Sequence, residues 1–113
     1  MPFKLSRCIS LHHPAQEHIV KFYRDVLGLD AAGKVGEGYE MKTDPIRLFV
    51  DKAQPRELVL ELLVPDLEKA RNELVAAGCR VMKWEGKGKD CYIRDPFGTT
   101  YNLWEDPDAF KDA

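Results

Sequence analysis

Two matched spacings constrain this chain more than any other feature. Gly28 is answered by Gly78 fifty residues on, and Asp44-Pro45 is answered by Asp95-Pro96 at an offset of 51. Self-similarity at a period near fifty means that one supersecondary unit is used twice. The first copy reads as a strand from Phe3 to Leu11, a helix from Gln16 to Leu27, and three short strands at Ala31 to Val35, Tyr39 to Lys42 and Ile46 to Asp51. Ile19, Phe22, Tyr23, Val26 and Leu27 recur at helical spacing, Pro14 suits a rigid first turn, and Gly28 is a natural stop. The second copy repeats the order: strand Glu57 to Val64, helix Leu67 to Ala77 with Asp66 as its N-cap, then strands Arg80 to Trp84, Asp90 to Arg94 and Thr99 to Trp104. Neither copy is long enough to bury both faces of a four-stranded sheet, so a shared core is expected. The predicted fold is α+β: a single domain over residues 1–113, made of two tandem βαβββ repeats at about 3–51 and 57–105. A curved mixed sheet would surround a cleft, with the helices outside.

Composition narrows the function classes. With 113 residues, 44% hydrophobic and 32% charged, the chain supports one modest core and no second independent domain. A net charge of -2 and a pI near 5.9 give no basic footprint, so no nucleic-acid partner is expected. The longest apolar run, Leu58 to Val64, is interrupted by Glu61 and falls far short of the roughly 20 residues that cross a bilayer, so no membrane partner is expected. The first residues lack the apolar core of a secretory signal, and a cytoplasmic location is expected. Cys8, Cys79 and Cys91 are odd in number and form no CxxC pair, which predicts free thiols rather than a disulfide framework or a structural zinc site.

Three stretches, FYRDVLGLD at 22–30, VPDLEKARNELVAAGCRV at 64–81 and RDPFGTTYNL at 94–103, together resemble the vicinal oxygen chelate superfamily. That superfamily includes glyoxalase I, extradiol dioxygenases, fosfomycin resistance proteins and bleomycin-binding proteins. The resemblance implies a divalent metal in the cleft, held by His, Glu or Gln side chains from the first and last strands of each repeat. Carried onto this chain, those positions are Cys8, Val59 and Asn102, with Asp51 as a looser match in the first copy. Asn102 stands where metal-binding members carry a glutamate. Zinc, iron and manganese need lone-pair donors at about 2 Å; valine has none, and an amide oxygen is a weak neutral one. No metal and no other cofactor is expected.

Further candidates follow from strand alternation. His12 shares a face with Cys8 and Ser10, but lies about 13 Å beyond Cys8 at roughly 3.3 Å per residue, too far to join it on one ion. His12, His13 and His18 read as solvated or capping groups near a strand-to-helix turn, or, in the sharper reading, His12 stands at the cleft rim as a hydrogen-bonding or acid-base group. Glu61, alternating with Val59 and Leu63 on the cleft side, is either paired and solvated or the group that recognises a basic or hydroxylated ligand, or a general base. Trp104, on the face of Asn102 and Thr100, and Trp84 offer stacking walls for a flat ligand, with ordinary core packing as the alternative. The lysine-rich segment 83–89 reads as a solvated hairpin loop, and Cys8 as a packed small side chain, since nothing near it in sequence activates a thiol. The expected function is metal-independent binding of a small organic ligand by Ser10, His12, Glu61, Asn102, Trp104 and Trp84, resembling the bleomycin-resistance class. A homodimer is implied by that resemblance alone. The alternative is a metal-dependent lyase, isomerase or dioxygenase in which Glu61 or Asp51 moves a proton.

Overall fold

The computed structural model describes residues 2–54 and 56–111, with the Arg56 side chain left aside. The chain runs β1 (Lys4–His12), α1 (Gln16–Asp25), β2 (Ala31–Val35), β3 (Gly38–Met41), β4 (Arg47–Asp51), β5 (Arg56–Val64), α2 (Leu67–Ala76), β6 (Arg80–Trp84), β7 (Cys91–Arg94) and β8 (Thr100–Glu105), and ends in a 3-10 helix at Pro107–Phe110. The α+β class and the doubled βαβββ order are those expected from the repeat. The terminal 3-10 turn is additional. Among the described residues no helix is long and apolar enough to cross a membrane.

Two compact units divide the chain, one formed by Arg7–Val59 and the other by the residues up to Ser6 with those from Leu60 onward. In the first, the strand order is β2-β3-β4-β1. β1 and β4 are parallel, with Ser10 opposite Phe49 and His12 opposite Asp51, while β3 pairs antiparallel with both β2 and β4. Leu11, Leu48 and Val50 alternate toward α1 and pack with Val20, Ile19 and Tyr23. α1 stops at Asp25 rather than running on to Leu27, because the chain turns through Gly28 at φ +73° and Leu29 N–H donates back to the Tyr23 carbonyl at 2.8 Å.

In the second unit the order is β5-β8-β7-β6. Leu62 and Val64 alternate with Glu61 and Leu63, and it is the former pair that packs with Leu67, Ala70, Ile93 and Leu103 beneath α2. Asp66 accepts from Lys69 N–H at 3.0 Å, the side-chain cap read from the sequence. Repeat length alone predicts one shared core, yet the buried residues form two clusters, one in each unit. The reason is local: each helix covers the apolar face of its own strands.

Candidate functional site

In the unit formed by Arg7–Val59, the parallel register of β1 and β4 brings three of the expected residues together. Ser10 Oγ donates to Asp51 Oδ2, and His12 Nε2 lies 3.8 Å from the same oxygen. The His12 side chain is 3% exposed and that of Asp51 39%. The carboxylate therefore joins a buried imidazole to solvent. Its other oxygen lies against β3: a Cβ built on Gly38 would stand 2.2 Å from Asp51 Oδ1 and 3.0 Å from the Val50 carbonyl oxygen. Only glycine leaves that space. Next to this cluster Arg47 forms a two-pronged pair with Glu40, at 2.8 and 2.7 Å, and stacks over Phe49 at 5.2 Å. Hydrogen bonding from Arg47 holds the Glu40 carboxyl below its ordinary range.

His12 also lines a cavity of about 510 Å³ at the junction of β1 and α1, with Leu11, His13, His18, Ile19, Phe22 and Tyr23 among its walls. The three histidines of the chain meet there. Two lie at and just beyond the end of β1, while α1 presents His18, Ile19, Phe22 and Tyr23 at spacings of three and four, one stripe of a helix. His13 Nδ1 accepts from Ala15 N–H at 3.0 Å, so the neutral ring carries its proton on Nε2 and keeps a donor there. A mostly apolar wall with a few polar atoms is the usual make-up of a small-molecule site. Sequence reasoning places His12 at a rim but leaves out His13, His18, Phe22 and Tyr23. The recurrence of residues 18, 19, 22 and 23 along α1 is the signal that gathers them.

The other expected residues lie in the second unit, except Cys8 and Val59. Glu61 accepts from Ser6 Oγ at 2.8 Å. Asn102 Oδ1 accepts from Cys91 N–H at 2.9 Å, so its oxygen is held on the backbone of β7. Trp104 is 39% exposed. Trp84 packs against the cluster beneath α2, with the Arg71 guanidinium 4.9 Å from its ring. A bulge between Val81 and Lys83 causes this placement: Val81 pairs with Ile93 and Trp84 with Cys91, so the extra residue turns Trp84 to the helix side, while Lys83 and Tyr92 take the face of Asn102. Cys8, half-buried and opposite Arg47, is a free thiol, and Val59 is 2% exposed.

A sequence model of the glyoxalase-like domain matches residues 8–104. The chain belongs to the glyoxalase-like family. Membership places it in the vicinal oxygen chelate superfamily, as its motifs suggest. Among curated proteins, none matches the sequence. Among solved structures, a glyoxalase/bleomycin resistance protein/dioxygenase superfamily member from Vibrio splendidus shares 17% identity over 93% of this chain and 100% of its own, with a TM-score of 0.64. The Mn(II)-bound glyoxalase from Novosphingobium aromaticivorans shares 19%, over 91% of this chain and 38% of its own, with a TM-score of 0.60. The Streptomyces coelicolor methylmalonyl-CoA epimerase, in complex with 2-nitronate-propionyl-CoA, shares 17% over 90% and 98%, with a TM-score of 0.55. At such identities the likeness is one of fold.

The metal that the superfamily implies is a poor match for this member. At the positions that the sequence resemblance assigns to metal ligands, Val59 offers no lone pair, the Asn102 oxygen is engaged by Cys91 N–H, and Asp51 Oδ2 accepts from Ser10. Among the described residues no three His, Cys, Asp or Glu side chains are grouped so as to hold an ion.

Proposed function

We propose that this glyoxalase-like chain binds a small organic molecule without a metal, in the cavity between the end of β1 and the start of α1. The lining of that cavity carries the reading: Leu11, Ile19, Phe22 and Tyr23 provide an apolar wall, and three imidazoles provide the polar atoms. The ligand would be a compact aromatic or alicyclic body bearing an oxygen that accepts from His13 Nε2–H. Asp51, held by Ser10, fixes the carboxylate beside His12 and so positions that ring. The donor set at the inherited metal positions supports independence from metal.

The test is elemental analysis of dialysed protein together with thermal-shift titration against divalent metals and a panel of aromatic and alicyclic acids, alcohols and amines. Metal well below one per chain is expected, with a rise in Tm of several degrees for an organic compound and none for metals. Phe22→Ala, at a half-exposed position, should remove most of that rise while leaving the unliganded Tm nearly unchanged. Tightly held stoichiometric zinc, iron or manganese, with activity lost on chelation, would establish a metal-dependent lyase or dioxygenase instead. A homodimer and a reducing, cytoplasmic setting belong to the same proposal. The three free thiols support the setting, and equilibrium sedimentation at one monomer mass would remove the dimer.

A further inference from the structure

In the unit formed by Arg7–Val59, the start of α1, the β2–β3 hairpin and Lys52 just beyond β4 surround a second cavity, of about 400 Å³. Hydrogen bonds hold these segments in place. Gln16 Nε2 donates to the Glu37 carbonyl at 2.6 Å and ties the hairpin turn to the helix. His13 N–H donates to the Asp51 carbonyl at 3.0 Å and Ala53 N–H to the His13 carbonyl at 3.4 Å, which carries the parallel pairing of β1 and β4 past Lys52. Charges of both signs line the space. Lys34 and Lys52 share its wall with Glu17 and Glu37, and among the described residues none of the four is ion-paired. Lys34 instead lies 5.7 Å from the centre of the Tyr39 ring, whose hydroxyl donates to Glu17 at 3.3 Å. Gln16, 5% exposed, is also in the wall, and its Oε1 has no hydrogen-bond partner among the described residues. A buried acceptor without a donor is costly, and folded proteins rarely leave one. α1 begins here with no side-chain cap, so its first N–H groups suit an anion. This cavity shares Ala15 and His18 with the apolar, histidine-lined one.

We propose that one ligand spans both cavities and that it is an aromatic α-amino acid. Its ring lies against Ile19, Phe22 and Tyr23; its carboxylate meets Lys34, Lys52 and the first N–H groups of α1; its ammonium meets Glu17 and Glu37, with the Gln16 oxygen as a further acceptor. This names the ligand class of the function proposed above and rests on that reading. A wall with two lysines and two glutamates favours neither sign, so a zwitterion answers all of it, whereas a plain acid or a plain amine leaves like charges facing its own.

Isothermal titration of the full chain at fixed ionic strength tests this with three compounds that carry the same ring: phenylalanine, 3-phenylpropionate, which lacks the ammonium, and phenethylamine, which lacks the carboxylate. One saturable site is expected, with phenylalanine bound about tenfold more tightly than either analogue, the worth of a charge-assisted hydrogen bond. Lys52→Gln should weaken phenylalanine and phenylpropionate by about threefold or more and leave phenethylamine unchanged, as for an exposed charge pair. Glu37→Gln should weaken phenylalanine and phenethylamine and leave phenylpropionate unchanged. Lys52 and Glu37 are both exposed, so neither substitution endangers the fold. Lys42→Gln, also exposed and outside both cavities, should change none of the three. Phe22→Ala should weaken all three alike, because it removes the wall under the ring. Equal binding of the three compounds, all weakened by Phe22→Ala, would leave the histidine-lined cavity as the binding site and overturn the amino-acid proposal. Phenylalanine binding indifferent to Lys52→Gln and Glu37→Gln, or no saturable binding of any of the three, overturns it as well.

Discussion

The Asn102 side chain is tied to the backbone of the neighbouring strand. Its oxygen reaches the Cys91 N–H at 2.9 Å, a bond at the first residue of β7. Removing it leaves a donor without its acceptor in a strand whose Cys91 is fully buried. Asn102→Ala should therefore lower stability by about 1–2 kcal/mol in urea denaturation, and Asn102→Asp, which keeps an acceptor, should recover most of it. Asp95 offers a pH-dependent counterpart. The Thr99 N–H, with those of Phe97 and Gly98 and the Tyr101 hydroxyl, favours its ionised form and lowers its pKa. A folded-state pKa below the unfolded one gives stability that is complete above the unfolded value and lost as pH falls through the folded value. The stability difference between the native chain and Asp95→Asn should be largest near neutrality and shrink steadily below about pH 4. A gap that stays constant down to the acid transition would refute this account of the turn.

The two helices begin differently, although their first residues, Gln16 and Leu67, hold the same place in each repeat. α2 has two side-chain acceptors at its N-terminus: Asp66 takes the Lys69 N–H and Glu105 takes the Leu67 N–H at 2.9 Å. Lys87, 2.9 Å from Glu105, and that backbone bond lower the Glu105 pKa. α1 follows Ala15 at its N-cap, with no side-chain cap. Glu105→Ala should cost about 1 kcal/mol, with faster amide exchange in the first turn of α2 and no change in α1. Glu105→Gln, which keeps an acceptor and loses only the exposed ion pair, should cost less. Much of this level was legible in the sequence. Gly28 and Gly78 both adopt positive φ, and Asp66 is a cap by residue type, so local chemistry marks where the helices end and where α2 begins. Glu105 is different: it acts on a residue 38 positions away, and no short window reveals that. The bulge before Lys83 is equally silent in the residue pattern, and it alone turns Trp84 beneath α2 instead of leaving it beside Asn102. The histidine cavity needed the strand end and the helix stripe to be known together.

At the scale of the whole molecule, stability rests on few fully buried side chains. Met41 and Leu103 are each 1% exposed and belong to different clusters. Truncating either to alanine should cost about 2–5 kcal/mol, a large share of the roughly 5–15 kcal/mol that holds a small domain together. Urea midpoints should fall sharply for both, against changes near zero for Leu5→Ala at a 65% exposed position. The placement of the Asp51 carboxylate over Gly38 reaches beyond this one chain. Along the family's descent the two sites are not free to drift separately: a lineage that enlarges position 38 must first have shortened or redirected the side chain at position 51. Aligned relatives should record that order as correlated substitution, with the Ser10 partner changing in step with the acid it serves.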